Sequence, residues 1–226
     1  MKKIPTLFER TFDHHHVVGI TPDVHPGCEW VMKGEGEATV KIDGACCAIL
    51  GGVFYVRYDA KAGKNGKRKP VPAGAIPCQE HPDPVTGHFP CWVPVEKDNP
   101  SQKWFCEAFR NAPGYGLVLY GPDGKLRDHT YEAVGPHFQG NPYHFDRDIL
   151  LPHGLWKIPE LNTSGPRTFE VIRAWLETHQ EEGIVFWQDG EPQCKIKRSD
   201  FGLTWPGGEG GMLPDDGRTD CTELFS

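Results

Sequence analysis

The chain has 226 residues, with 24 Lys and Arg against 31 Asp and Glu for a formal net charge of −7, and a hydrophobic content of 38%. That length suffices for a good core, while the acidic balance excludes bulk electrostatic adhesion to nucleic acid, so a polyanion has to be met by a local basic patch. No apolar run reaches the length of a membrane span, Met1 to Pro5 lead into no signal-peptide core, and eight cysteines with Cys46 beside Cys47 suit reduced thiols, so a soluble cytoplasmic enzyme or binding domain is expected.

Residues 1–37 read as an irregular lead-in. His14, His15 and His16 are adjacent and do not converge on one ion as an i, i+4 pair on a helix can, so a polar loop is expected. Then come Ala38, Thr39, Val40, Lys41, Ile42, Asp43 and Gly44, a β-branched run carrying one lysine and one aspartate before a glycine turn. A lysine on such a run becomes a nucleophile where its surroundings favour the neutral amine. From a reference pKa of about 10.4 this costs roughly 4 kcal/mol near pH 7.5. One cation about 4 Å away supplies about that much at an effective dielectric near 20. Other cations are therefore expected close to Lys41; without them, K-x-D-G describes a surface strand lysine before an Asp-Gly turn.

Residues 45–50 and 53–58 flank Gly51 and Gly52, a two-residue hairpin loop. Counting outward sets Leu50 against Val53, Cys46 against Arg57 and Gly44 against Asp59, which returns Arg57 to within a few residues of Lys41. Lys61, Lys64, Lys67, Arg68 and Lys69 form the densest basic cluster, in a Gly/Pro-rich loop suited to phosphate contacts or to plain solvation.

Residues 70–99 are proline-rich and are expected as a long ordered loop. Cys78 and His81, then His88 and Cys91, have zinc-like spacing, but Pro82, Pro84 and Pro90 interrupt it, and no stoichiometric zinc is expected. Trp104, Phe105 and Phe109 recur at helical intervals before Asn111 and Pro113, predicting a short core helix over 101–111. Residues 117–120, a turn at 121–124 and a strand through 130–134 form a second hairpin-like unit. Its Glu132, between Tyr131 and Ala133, is either at an edge or has a partner.

Residues 167–179 are the best helix, with Phe169, Ile172 and Leu176 on one face and Pro166 near its start. Two strands then flank Asp189 and Gly190. With that pair as the turn, Gln188 meets Glu191 and Glu182 falls opposite Lys197, while Lys195 and Lys197 share a face by the two-residue period. Residues 1–205 are expected as one domain, followed by a Gly/Asp-rich tail, 206–226, that is disordered or an extended arm.

The order of these pieces is informative: Lys41, Asp43 and Gly44, then Arg57, then Tyr131 and Glu132, then Glu182 to Val185, then Lys195, Ile196 and Lys197. This resembles the five ordered motifs of the covalent nucleotidyltransferase superfamily, the ATP-dependent DNA and RNA ligases and the mRNA capping enzymes. Thr21 and Pro22 with Gly27 to Trp30, Arg57 to Lys61, Asp83 to His88, Tyr131 to Pro136 and Gln139 to Pro142 are similar to the small vertebrate-type 5′–3′ RNA ligase family and its microbial relatives. That likeness covers roughly residues 8–205.

The resemblance implies an α+β nucleotidyltransferase fold, the ligase adenylation fold of antiparallel sheets flanked by helices. It implies ATP, Mg²⁺ or Mn²⁺, and RNA with 5′-phosphate and 3′-hydroxyl ends; no membrane and no protein partner are inferred. Lys41 would attack the α-phosphate of ATP, the AMP would pass to an RNA 5′-phosphate, and a 3′-hydroxyl would displace it. Asp43, Arg57 and Glu132 become nucleotide contacts, with Glu132 on the ribose. Glu182 goes to the adenosine pocket or a divalent ion, Lys195 and Lys197 to the α-phosphate, and the backbone at Val40 to the adenine edge. Phe138 is a candidate ring to stack on the base. Val40 stands where many of these ligases carry an acidic residue. The 29 residues after Lys197 are too few for an OB-fold, which favours a minimal RNA ligase. A DNA nick ligase and a non-catalytic nucleotide- or RNA-binding domain are the alternatives, although a binding module has no need of Lys41.

Overall fold

In the computed structural model the described residues are all except 15, 62–66, 68, 85, 113–124, 164, 207–209, 212 and 215–226. The described elements in chain order begin with β1 (Phe8–Asp13), β2 (His16–Val24), α1 (Glu29–Met32), β3 (Glu37–Lys41), β4 (Ala45–Leu50), β5 (Val53–Asp59), β6 (Ile76–Pro77) and β7 (Pro90–Pro94). They continue with α2 (Lys103–Asn111), β8 (His129–Val134), β9 (Ile149–Pro152), α3 (Phe169–Thr178), β10 (Gly183–Gln188) and β11 (Glu191–Lys197). The fold is α+β, with antiparallel sheets and few helices. Two compact units emerge: Met1–Lys3 with Gly44–His153, and Ile4–Asp43 with Gly154–Gly217.

The first unit is a six-stranded sheet in the order β6-β7-β5-β4-β8-β9. Gly51 and Gly52, at φ +56° and +79°, supply the left-handed pair that a two-residue turn requires. The register is the expected one, with Leu50 opposite Val53 and Cys47 opposite Val56. The free edge of β4 then takes β8, pairing Cys46 with Glu132, and β8 takes β9, pairing Glu132 with Leu151. Cys47, Ala48, Ile49, Tyr131, Ala133 and Leu150 are buried at this centre. Helix α2 covers it with the aromatic face expected of it: Phe109 lies 5.0 Å from Phe54, and Phe105 lies 5.0 Å from Phe138.

Two expectations change here. Residues 70–99 are not all loop, because β6 and β7 extend the sheet beyond β5. Pro90 and Pro94 bound β7, so their missing N–H groups fall at the strand's ends and leave Cys91, Trp92 and Val93 to pair. The expected 117–124 half of the second hairpin lies outside the described residues, and the described partners of β8 are β4 and β9.

The second unit holds the three-stranded sheet β11-β10-β3 and the hairpin β1-β2. Both outer edges of the three-stranded sheet are used. Val40 N–H donates to Trp156 O at 2.8 Å and Ile158 N–H to Ala38 O at 3.0 Å, while Leu7 N–H donates to Lys195 O at 2.8 Å. The lead-in is thus not irregular, since it contains β1, β2 and α1. Its hairpin escapes a periodicity reading because Phe12 and Val18 are both 64% exposed, so apolar residues do not mark a buried face. Thr168 caps α3, its Oγ1 accepting from Val171 N–H at 3.3 Å, and Ile172, Trp175 and Leu176 are buried. Arg167, 1% exposed, donates to the carbonyls of Leu161, Glu35 and Gly36 at 2.5, 2.5 and 2.8 Å, and burial lowers its pKa. No helix among the described residues is long and apolar enough to cross a membrane.

Candidate active site

Lys41 closes β3, directly opposite Gly183 on β10. Its Nζ donates to Glu182 Oε2 at 2.5 Å and to the Ile42 carbonyl at 3.2 Å. The other oxygen of Glu182 pairs with Lys197 Nζ at 2.6 Å. One carboxylate, its side chain 3% exposed, therefore lies between two ammonium groups. Lys197 is the cation expected near Lys41, but the two lysines meet through an anion. The reason is local: the paired strands bring Glu182 alongside both, and a buried carboxylate needs compensating charge.

The route to that pair differs from simple counting. Asp189 and Gly190 form the turn with φ +53° and +75°, and Gln188 pairs with Glu191 as expected. A bulge between Phe186 and Trp187 then shifts the register by one residue, so Gly183, not Glu182, lies opposite Lys197. The irregularity falls beside Pro192, which has no N–H for the ladder. Glu182 is aligned instead by Arg198 N–H, which donates to its carbonyl at 3.0 Å. Gly183 permits the close approach, since a Cβ there would sit 2.2 Å from the Ile196 carbonyl oxygen and 2.9 Å from Lys197 Cα.

Asp200 secures the end of β11. Its Oδ2 accepts from Lys197 N–H at 2.9 Å and its Oδ1 from Arg10 Nη2 at 2.7 Å. Lys195 lies two residues earlier on the face of Lys197. Asp43 Oδ2 accepts from Trp205 Nε1–H at 2.9 Å. Val40 is 5% exposed, and its N–H is already taken by Trp156.

The first unit carries Arg57, Glu132 and Phe138. The register that pairs Cys46 with Glu132, continued across β5, sets Arg57 on the other side of Cys46. Arg57 Nε is buried without a hydrogen-bond partner, and the residue lines a cavity of about 480 Å³ together with Val56, Gln102 and Phe105. Glu132 proves to have a partner: its Oε2 accepts from His153 Nε2–H at 2.7 Å, while His153 Nδ1 meets Thr130 Oγ1 at 2.9 Å. Burial pushes the Cys46 thiol up to about 12, with the Glu132 charge adding to the effect. Gly44 of the K-x-D-G run is needed here, because a Cβ would lie 2.4 Å from Ala133 O and 2.8 Å from Glu132 Cγ. Phe138 is 6% exposed, with its ring centroid 5.0 Å from that of Phe105.

The zinc-spaced residues fall on or beside the paired strands β6 and β7, with Pro77 opposite Cys91 and Cys78 N–H donating to Pro90 O. His88 pairs with Asp59, and Cys91 is buried with its Sγ 3.6 Å from Phe89 O. Burial raises the Asp59 carboxyl, but hydrogen bonds from His88 and from Phe89 N–H outweigh it and hold it below its ordinary value. Of the basic cluster, Lys61, Lys67 and Lys69 are exposed; Lys64 and Arg68 lie outside the described residues.

Several of these residues carry no expectation from sequence. Nothing in the spacing ties Thr130 or His153 to Glu132, because only strand pairing brings them together. Trp205 is likewise joined to Asp43 by tertiary contact alone. Asp200 meets the Lys197 N–H only through the turn that follows β11.

A sequence model of the family described as RNA ligase 1 matches residues 71–214, a stretch that includes Glu132, Glu182, Lys195 and Lys197. RNA ligase 1 of Rattus norvegicus is 29% identical over 234 residues, covering 79% of this chain and 69% of the relative. RNA ligase 1 of Mus musculus is 29% identical, with 79% and 68% covered. RNA ligase 1 of Danio rerio is 32% identical over 148 residues, with 56% and 45% covered. With well over half of its length matched, the chain belongs to the RNA ligase 1 family.

Proposed function

We propose that this protein is an ATP-dependent RNA ligase with a nucleotidyltransferase fold, working through a lysyl-AMP and an RNA-adenylate. The observation that carries this is Lys41 joined through Glu182 to Lys197, at 2.5 and 2.6 Å, in a chain of the RNA ligase 1 family. Lys41 is 16% exposed, reachable yet shielded, and sits at the end of a strand whose two edges are paired. Such a lysine is positioned more firmly than one on a mobile loop.

In the proposed chemistry the amine of Lys41 forms a bond to the α-phosphorus of ATP as the bond to pyrophosphate breaks. Glu182 Oε2 holds the proton that the amine must give up. Lys197, and Lys195 on the same face, offset the charge that gathers on the phosphoryl oxygens, since this transfer depends on positioning and charge neutralisation. The AMP then passes to an RNA 5′-phosphate oxygen with cleavage of the P–N bond, and an RNA 3′-hydroxyl attacks that phosphate to expel AMP. Arg57, whose buried Nε lacks an acceptor, and Glu132 are assigned to the nucleotide, Glu132 to the ribose. Asp43 is assigned to the nucleotide with its carboxylate oriented by Trp205. Exposed Lys61, Lys67 and Lys69 suit RNA phosphates.

Glu182 is the hard carboxylate that would hold Mg²⁺ or Mn²⁺, which bind through one or two such groups plus substrate phosphates; the ion would take an oxygen that meets an ammonium group in this structure. When bound, the ion supplies further positive charge at the phosphate. The backbone at Val40 is assigned to the adenine edge, and Phe138 remains the candidate ring beside the base.

The test is incubation with α-labelled ATP or GTP and a divalent ion, followed by a denaturing gel. An acid-labile, alkali-stable adduct from ATP, lost in Lys41→Ala, is expected. Label retained by Lys41→Ala, or equal labelling from GTP, overturns the assignment. Equal sealing of all-DNA nicks would move the substrate from RNA to DNA.

A further inference from the structure

Beside the residues assigned to the nucleotide, the six-stranded sheet carries a second kind of chemistry. Cys46, Glu132 and His153 are, among the described residues, the group whose sulfur, carboxylate and imidazole donor atoms all lie within 4.8 Å of one another. Backbone pairing puts them there. Cys46 and Glu132 are direct partners across β4 and β8, and His153 N–H extends the next ladder by donating to Thr130 O at 3.0 Å. Three donors from neighbouring paired strands form a pre-organised set. Tetrahedral zinc, with ligand bonds of about 2.0–2.3 Å, needs donors about 3.3–3.7 Å apart, so the Glu132–His153 pair, in contact at 2.7 Å, opens slightly while the widest separation closes by about 1 Å.

We propose that Cys46, Glu132 and His153 bind a borderline-soft divalent cation of the zinc type, with a fourth coordination position open. A thiolate and an imidazole select such an ion over Mg²⁺, whose chemistry calls for oxygen donors. The outer shell is also present. His153 Nδ1 has Thr130 Oγ1 at 2.9 Å, so with the ion on Nε2 the ring hydrogen resides on Nδ1 and donates to the threonine, fixing the ring. In this structure Nε2–H donates to Glu132 Oε2 at 2.7 Å, joining two of the three proposed ligands. On binding, the Cys46 thiol gives its proton to solvent. The side chains of His153 and Glu132 are 14% and 11% exposed, so an ion can enter while few waters compete. A consequence, resting on the ribose role of Glu132 proposed above, is that zinc and ATP compete for this carboxylate.

The full chain, stripped with chelator and dialysed, is titrated with Co²⁺ and then Zn²⁺. The expected result is one equivalent of cobalt with a thiolate-to-cobalt charge-transfer band, displaced by Zn²⁺ and untouched by excess Mg²⁺. Cys46→Ser should abolish the band, Thr130→Val should weaken binding roughly 10–100-fold, and His153→Gln, which removes a ligand, should weaken it by more, with the circular dichroism unchanged in both. No band in the wild type, or a band that survives both Cys46→Ser and His153→Gln, overturns the site. If Cys46→Ser does not fold, His153→Gln and Thr130→Val decide the matter. The titration uses no nucleotide, so failure of the ATP adduct assay would remove the ligase proposal and leave the metal result standing. Zinc inhibition of the adduct that raised ATP relieves would support the competition, and inhibition insensitive to ATP would refute that consequence alone.

Discussion

Replacing Lys197 by alanine tests the electrostatic argument at Lys41. The two ammonium groups bind opposite oxygens of Glu182, at 2.5 and 2.6 Å. The two nitrogens flank one carboxylate, and a unit charge roughly 5 Å away contributes about 3 kcal/mol at an effective dielectric of about 20. Lys197 is 32% exposed, so solvent screening reduces this. About 1.4 kcal/mol remains as a working figure, equivalent to about one pH unit. Lys197→Ala removes this repulsion and also leaves Glu182 to Lys41 alone, and both changes favour the ammonium form. The acid limb of adduct formation, followed as single-turnover rate against pH, should move up by about one pH unit, with about a tenfold slower reaction near neutrality. Lys197→Arg keeps the charge, so its limb should stay in place while the rate falls through altered shape. A uniform loss of rate in Lys197→Ala with no movement of the limb would refute the electrostatic coupling. No loss at all would make Lys197 an ordinary strand lysine.

Three further outcomes are expected. Lys41→Ala should fail to join RNA with ATP yet retain joining of RNA already adenylated at its 5′ end, whereas Lys195→Ala should be impaired in both; sealing assays on the two substrates check this, and failure of the wild type on pre-adenylated RNA would argue for another nucleotidyl transfer. Gly183→Ala should cost about 1–3 kcal/mol, because the added Cβ meets the Ile196 carbonyl, and should slow adduct formation by spreading β10 from β11. Thermal denaturation and the gel assay measure both effects, and an unchanged Tm would count against the close approach. Glu181→Gln should raise Tm at pH 7: Glu181 is 8% exposed, its Oε2 has no hydrogen-bond partner, and burial raises its pKa from 4.5. A raised folded value means that this carboxyl favours folding below its unfolded pKa and loses that contribution as pH rises through the folded one. The gain from glutamine should therefore shrink as pH falls toward 4.5, and a gain independent of pH would rule out titration of Glu181 as its source.

Local chemistry made much of this molecule legible in the chain alone. Gly51 with Gly52 and Asp189 with Gly190 are turn pairs whose backbone freedom dictates hairpins, and the register of the first followed by counting. Aromatic periodicity placed α2, and the apolar face of residues 167–179 placed α3, because a helix that buries one stripe must repeat it. The ordered run from Lys41 to Lys197 pointed to the family to which the chain belongs.

Tertiary structure decided the rest. Hairpin β1-β2 leaves apolar side chains exposed, so no alternation announced it. The slip beside Pro192 moved Glu182 away from the position opposite Lys197, yet side-chain reach still joined them. Arg167 reads as a helix-start arginine in sequence, but its buried guanidinium meets the Leu161 carbonyl six residues back and the carbonyls of Glu35 and Gly36 from a distant segment. The partnership of Cys46, Glu132 and His153 spans over a hundred residues and exists only because β4, β8 and the end of β9 lie side by side. Turns and amphipathic faces are properties of near neighbours and can be read along a chain. Which carboxylate meets which lysine depends on how strands far apart in sequence are paired, and a single unpaired residue is enough to change it.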